Sequence, residues 1–221
     1  MSVLLYADER AWLALPKSFP TASGQTAAEW ENAVLDGMRP LWGDKLTAEA
    51  EEAVRQALRH GLTRVLPEDS VTLQYWPTAA LANVVVHVVA SVFGDGDRPQ
   101  VVPLDAGPFP REPVVEAFES EFLGTGVEAR YLTTVETTPP MEFGAVNYLF
   151  ENETGFVFVG TEPTLPRLVG IMFEPLREVV RSIRVLDDDG IGSWQPAAAD
   201  AAALGSRGET WNDVPAPGEA R

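Results

Sequence analysis

The chain contains two histidines, His60 and His87, and no cysteine. Disulfides, thiolate metal sites and a cysteine nucleophile are therefore excluded. No His-x-x-x-His spacing exists, so a zinc site would need carboxylates to complete it. His87 stands among valines, where a satisfied core or edge imidazole is the expectation. His60 closes a helical pattern, where a ring suits the negative end of the dipole. Asp95-Gly96-Asp97 matches part of a calcium loop, but the remaining ligand spacing and the closing glutamate are missing, so a plain turn is expected. Asp187-Asp188-Asp189 fits a solvated exit from a last strand. Gly-x-Ser-x-Gly, Ser-x-x-Lys, the P-loop and the dinucleotide-binding glycine pattern are all absent. The expectation is a chain with no catalytic set, no metal and no cofactor.

The aromatic residues offer a different chemistry. Trp42 lies in a proline-flanked stretch and Trp76 just precedes Pro77, so partial exposure is expected of both. With Tyr75, His87 and Tyr131 they form the candidate partner-binding set, able to line an apolar groove. Glu116, Glu128, Arg130 and Glu142 are the alternative, an acidic pocket for a small molecule.

Charge narrows the partners. Asp and Glu number 33 against 16 Lys and Arg, a formal net charge of -17 over 221 residues. Such a surface repels nucleic-acid phosphate and anionic lipid and suits a basic partner, although the same charge also serves solubility. The longest apolar run, 79–92, is interrupted by Asn83 and His87 and is too short for a bilayer span, so no membrane insertion is expected. The start lacks a basic region followed by an apolar one, so a cytoplasmic location is the expectation.

Periodicity supplies the elements that must hold these residues. Val3 to Leu15 reads as a strand pair or bent strand. Thr26 and Glu29 form a capping box opening a helix with Trp30, Val34 and Met38 on one face, which Pro40 should end or kink. A second helix begins at Thr47, carries Val54, Leu58, Leu62 and Val65, and ends before Pro67. Strands follow at 71–76 and 83–93, the latter apolar on both faces as in a central strand. Pro113 to Gly124 reads as a helix with Val114, Phe118 and Phe122 on one face and Glu116, Glu119 and Glu121 off it. Strands over 127–134, 143–150 and 156–161 come next, the last two as a hairpin. A helix over 168–180, interrupted by Pro175, leads to a short strand at 182–186. The domain expectation is one α+β domain over 1–189, with an antiparallel sheet covered by helices. An Ala-, Gly- and Pro-rich acidic tail over 190–221, largely disordered, completes the chain.

The opening Trp12-Leu13-Ala14-Leu15-Pro16 resembles the first strand of Mog1/PsbP-like domains. The closing stretch, Glu162-Pro163-Thr164 and then Leu176-Arg177-Glu178-Val179-Val180-Arg181-Ser182-Ile183-Arg184-Val185, is similar to their last helix and strand. The resemblance covers roughly 1–186 in order of elements, with the helices at 26–66 as an insert. It implies a non-enzymatic adaptor: members serve as GTPase partners, photosystem subunits, lipoproteins and chaperones for secreted bacterial effectors. The chain has no cysteine for a lipid anchor, so the lipoprotein branch does not carry over, and an acidic, cysteine-free adaptor is similar to the secretion-chaperone branch, which implies a secretion-associated chaperone or adaptor. Its partner would be an effector or secretion component. A structural subunit of a larger assembly, as a homo-oligomer, is the third reading.

Overall fold

Helix α1 (Ala27–Trp42) starts where its capping residues dictate. The Thr26 hydroxyl accepts from the Glu29 N–H, and the Glu29 carboxylate accepts from the Thr26 N–H at 2.8 Å. The helix does not end at Pro40. It runs on to Trp42, and Gly43, at φ 52°, closes it by donating to Arg39 O. Proline forfeits only one bond there, close to the end, and the extra half turn seats Trp42 in the core. A single 3-10 turn (Gly43–Lys45) leads to α2 (Ala48–Arg64), capped by Thr47 as its sequence requires. Arg59 clasps the buried Glu31 with two hydrogen bonds, tying α2 to α1.

The computed structural model describes residues 2–77, 80–94, 99–103, 109–186, 192 and 194–196. Nine strands are described: β1 (Ser2–Leu4), β2 (Trp12–Leu15), β3 (Val71–Tyr75), β4 (Val84–Val92), β5 (Val114–Ser120), β6 (Gly124–Val135), β7 (Met141–Glu151), β8 (Gly155–Thr161) and β9 (Arg184–Leu186). Seven form one antiparallel sheet in the order β2-β3-β4-β8-β7-β6-β5, and β1 pairs with β9 separately. The architecture is α+β. Helix α3 (Pro166–Ser182) has proline at its first position and continues through Pro175.

The expected helix over 113–124 is strand β5. Val114 and Phe118 are four residues apart, and four is even. The spacing that makes a helical stripe thus also places both side chains on one face of a strand. Val114, Phe118 and Ser120 are buried, while Ala117 and Glu119 are exposed. Gly124, read as a helix cap, instead takes φ 81° in the tight turn from β5 to β6.

Register assigns the two sheet faces. Leu73, Val86, Val159, Tyr148 and Phe118 share the face under α3, whose Met172, Leu176 and Val180 are fully enclosed together with Ile183 just after it. Each such side chain contributes about 1.5–3 kcal/mol of burial. Leu15 and Gln74 share the other face with α1 and α2. Gly61 lets α2 approach closely: a Cβ there would lie 2.9 Å from Gln74 Nε2. Of the stretch read as a tail, Trp194 is docked, donating to Leu123 O at 3.1 Å and packing against the core. Trp211, Asp95–Asp97 and Asp187–Asp189 lie outside the described residues.

Candidate functional site

An apolar groove of about 870 Å³ runs along the outer side of β2. Val34, Gly37 and Met38 of α1 form one wall. The segment before β2, with Val3, Leu5 and Ala7, forms the other. Trp12, Trp42 and Trp76 contribute to the lining, and Glu9 and Arg10 stand at its mouth. Gly37 faces open space, with nothing within 4 Å of where a Cβ would sit. Sequence patterning builds this groove in two steps. The α1 stripe turns Trp30 and Leu35 down onto the sheet, while Val34 and Met38 are left only half-buried. The 3–11 segment is then pinned from the far side, because β1 pairs with β9 and Tyr6 N–H donates to Ser182 Oγ at 2.8 Å.

The five aromatic and histidine candidates do not converge on one surface. Trp42 and Trp76 are 7% and 4% exposed, so the expected partial exposure is absent; both sit in the helix–sheet core bordering the groove. Trp76 is held there by its Nε1–H bond to Gln74 Oε1 at 3.1 Å. Tyr75 occupies the opposite sheet face, its ring 4.8 Å from that of Trp12. Tyr131 is buried under Phe109, and its hydroxyl accepts from Asn147 Nδ2 at 3.1 Å.

His87 is the centre of a charge cluster. Its Nδ1–H donates to Asp69 Oδ2 at 2.8 Å, and its Nε2 lies 3.6 Å from Glu162 Oε1, an ion-pair distance. Arg64 at the end of α2 binds Glu162 in turn. Asp69 Oδ2 also accepts from Thr72 Oγ1 at 2.6 Å and from Leu66 N–H at 3.0 Å. Burial opposes the charge on His87, but the two carboxylates overcome it and push its pKa up to about 9. Burial likewise opposes ionisation of Asp69 and Glu162, and the hydrogen bonds from His87 and their other donors bring both below the usual carboxylate range. A ring protonated at neutral pH and facing a carboxylate at each nitrogen has no lone pair with which to take a substrate proton.

The acidic-pocket residues come together only in part. Glu116, Glu128 and Arg130 meet under α3, with Arg130 Nη2 2.6 Å from Glu116 Oε2, while Glu142 is exposed at the far end of β7. The fully buried Glu128 is clasped by Arg177 at 2.8 and 3.0 Å, and Arg177 stacks 4.3 Å from the Phe173 ring centroid. Tyr148, opposite Glu128 in register, has its hydroxyl buried with no hydrogen-bond partner of good geometry among the described residues; burial first, then the charge of Glu128, raises its pKa. Both oxygens of Glu128 are thus engaged in ion-paired hydrogen bonds.

Among the described residues, no group of three histidine or acidic side chains is placed to hold a metal ion, and no helix is long and apolar enough to cross a membrane. Sequence reasoning missed Asp69, Arg64, Ala14 and Gly37. Only Asp69 carried a local signal, a short polar residue three before a strand threonine. No family model matches the chain, and neither any curated protein nor any solved structure does.

Proposed function

We propose that this chain is a non-enzymatic protein-binding adaptor that holds an apolar segment of a partner polypeptide in the groove between α1 and the 3–11 segment. The observation that carries the reading is the groove itself: about 870 Å³, lined mainly by apolar and aromatic side chains, beside a sheet edge. Pockets of this kind supply burial for a ligand's apolar groups, with a few polar groups to orient it. The pairing of His87 with Asp69 and of Glu128 with Arg177 supports binding over catalysis, since both side chains are held in ion pairs. The Mog1/PsbP-like resemblance of the opening and closing stretches adds the adaptor or secretion-chaperone role and the identity of the partner as an effector or secretion component.

Gly37→Phe tests the reading. The new ring would fill the groove from a position where no atom obstructs it. Tagged wild-type protein should recover a stoichiometric partner from its native cell, and the variant should lose that partner while keeping its melting temperature. Equal recovery by both proteins would reject the groove as the binding site.

A further inference from the structure

We infer that the partner segment binds by strand addition to β2. On this inference it is an extended stretch of another polypeptide, apolar at alternate positions and flanked by lysine or arginine. The inference rests on the groove reading and specifies the conformation and charge of the occupant.

Trp76 N–H donates to Ala11 O at 2.7 Å, and the register Trp12↔Tyr75 makes those two residues an opposed, hydrogen-bonded pair. Bonded and non-bonded pairs alternate in an antiparallel ladder. Leu13 and Leu15 therefore bond inward to Gln74 and Thr72, while the N–H and C=O of Ala14 point away from β3. Ala14 is exposed, lines the groove, and has no backbone partner on that side among the described residues. Trp12 keeps its C=O outward too, its N–H being taken by Asp8 O at 2.8 Å.

The two edges of the sheet are treated differently. The β5 edge carries Glu116 and Glu119, with Glu112 before it and Glu121 after it, charges that discourage another strand from adding. Trp12–Leu15 carries no charge. An added strand would also find a wall on each side. Alternate side chains would face α1 and the 3–7 segment, the arrangement by which strand addition reads sequence.

Charge selects the flanks. At the mouth, Arg10 is neutralised by Asp8 through bonds of 2.7–3.2 Å, leaving Glu9 without an ion-pair partner among the described residues. Beside Gly37, one guanidinium, Arg39, is shared by Asp36 at 3.3 Å and Glu51 at 2.5 Å. Of these six charged groups Glu9 and Arg10 line the groove, and together with Asp8, Asp36, Arg39 and Glu51 they sum to a negative charge, within a chain of net charge -17. Basic residues on either side of the apolar core would be attracted to it over about a Debye length, roughly 8 Å at physiological salt.

The test uses the full chain against a displayed library of random 12-residue peptides, counter-selected on Gly37→Phe. The enriched peptides should alternate apolar and polar residues and carry Lys or Arg near their ends. Synthetic copies N-methylated at each position in turn should lose affinity at every second residue, by about tenfold or more where the lost N–H pairs with β2. Ala14→Pro should weaken binding similarly, because proline lacks the outward donor and an edge position tolerates it. The N-methyl scan keeps the result decisive even if that variant folds poorly. Enriched peptides with a three-to-four-residue apolar period, or without period-two sensitivity to N-methylation, would overturn strand addition and leave the groove reading intact. Peptides that bind Gly37→Phe as well as wild type, or a library with no binder, would overturn both.

Discussion

His87 Nδ1 donates to Asp69 Oδ2 across 2.8 Å, joining the middle of β4 to the turn that precedes β3. With Glu162 and Arg64 the pair also fastens the end of α2 to the segment after β8. The α2 helix that backs the α1 wall of the groove is thereby locked to the sheet by charge as well as by Leu15, Val54 and Leu58.

Stability should accordingly depend on pH with a definite sign. The folded pKa of His87, about 9, exceeds the ordinary 6.5, so its contribution is complete below pH 6.5 and is lost as pH rises through about 9. Asp69 and Glu162 are depressed, so their contribution is present above the ordinary carboxylate values and fades as pH falls below them. Urea unfolding of wild type should lose on the order of 2 kcal/mol between pH 6.5 and 9.5. His87→Gln should be less stable at pH 6.5 and nearly flat over that window. A wild-type curve as flat as that of the variant would refute the ion-pair assignment.

Glu128 and Arg177 give a second prediction. Removing one partner leaves a charge largely buried beneath α3, so Glu128→Ala should cost about 3–5 kcal/mol. Replacing both residues with Leu should recover most of that loss, since a well-packed apolar pair avoids the desolvation of two ions. Additive losses in the double variant, measured by chemical denaturation, would contradict this account.

Two helical glycines should respond oppositely to alanine. Gly37 faces open space, and Gly37→Ala should stabilise by about 0.5–1 kcal/mol through helix propensity alone. Gly61 packs on Gln74, whose amide nitrogen is fixed by Ala57 O at 3.1 Å and Asn83 Oδ1 at 2.9 Å and cannot step aside freely. Gly61→Ala should therefore destabilise by about 1–2 kcal/mol despite the better helix former. Thermal melts of both variants under one set of conditions decide it.

Features written in neighbouring residues were legible from the sequence. The Thr26–Glu29 capping box, the Thr47 cap, the β-branched run of β4 and the β7–β8 hairpin are of this kind. Strand β5 was misread because Val114 and Phe118 satisfy both periods, and only pairing with β6 decides between them. Pro40 predicts an end or a kink and Pro175 an interruption, and both helices continue through them. The charge cluster was invisible for a different reason: His87 and Asp69 are 18 residues apart, and Arg64 and Glu162 are 98. The groove is more remote still from local pattern, because its walls meet only after β1 has paired with β9.

The most direct measurement is amide hydrogen exchange of the full chain, alone and with its captured partner. New protection should centre on Ala14 and spread along the groove walls at residues 3–11 and 33–41, with β5 unchanged. Protection that appears on β5 or on the outer face of α3 and leaves Ala14 exchanging freely would contradict it.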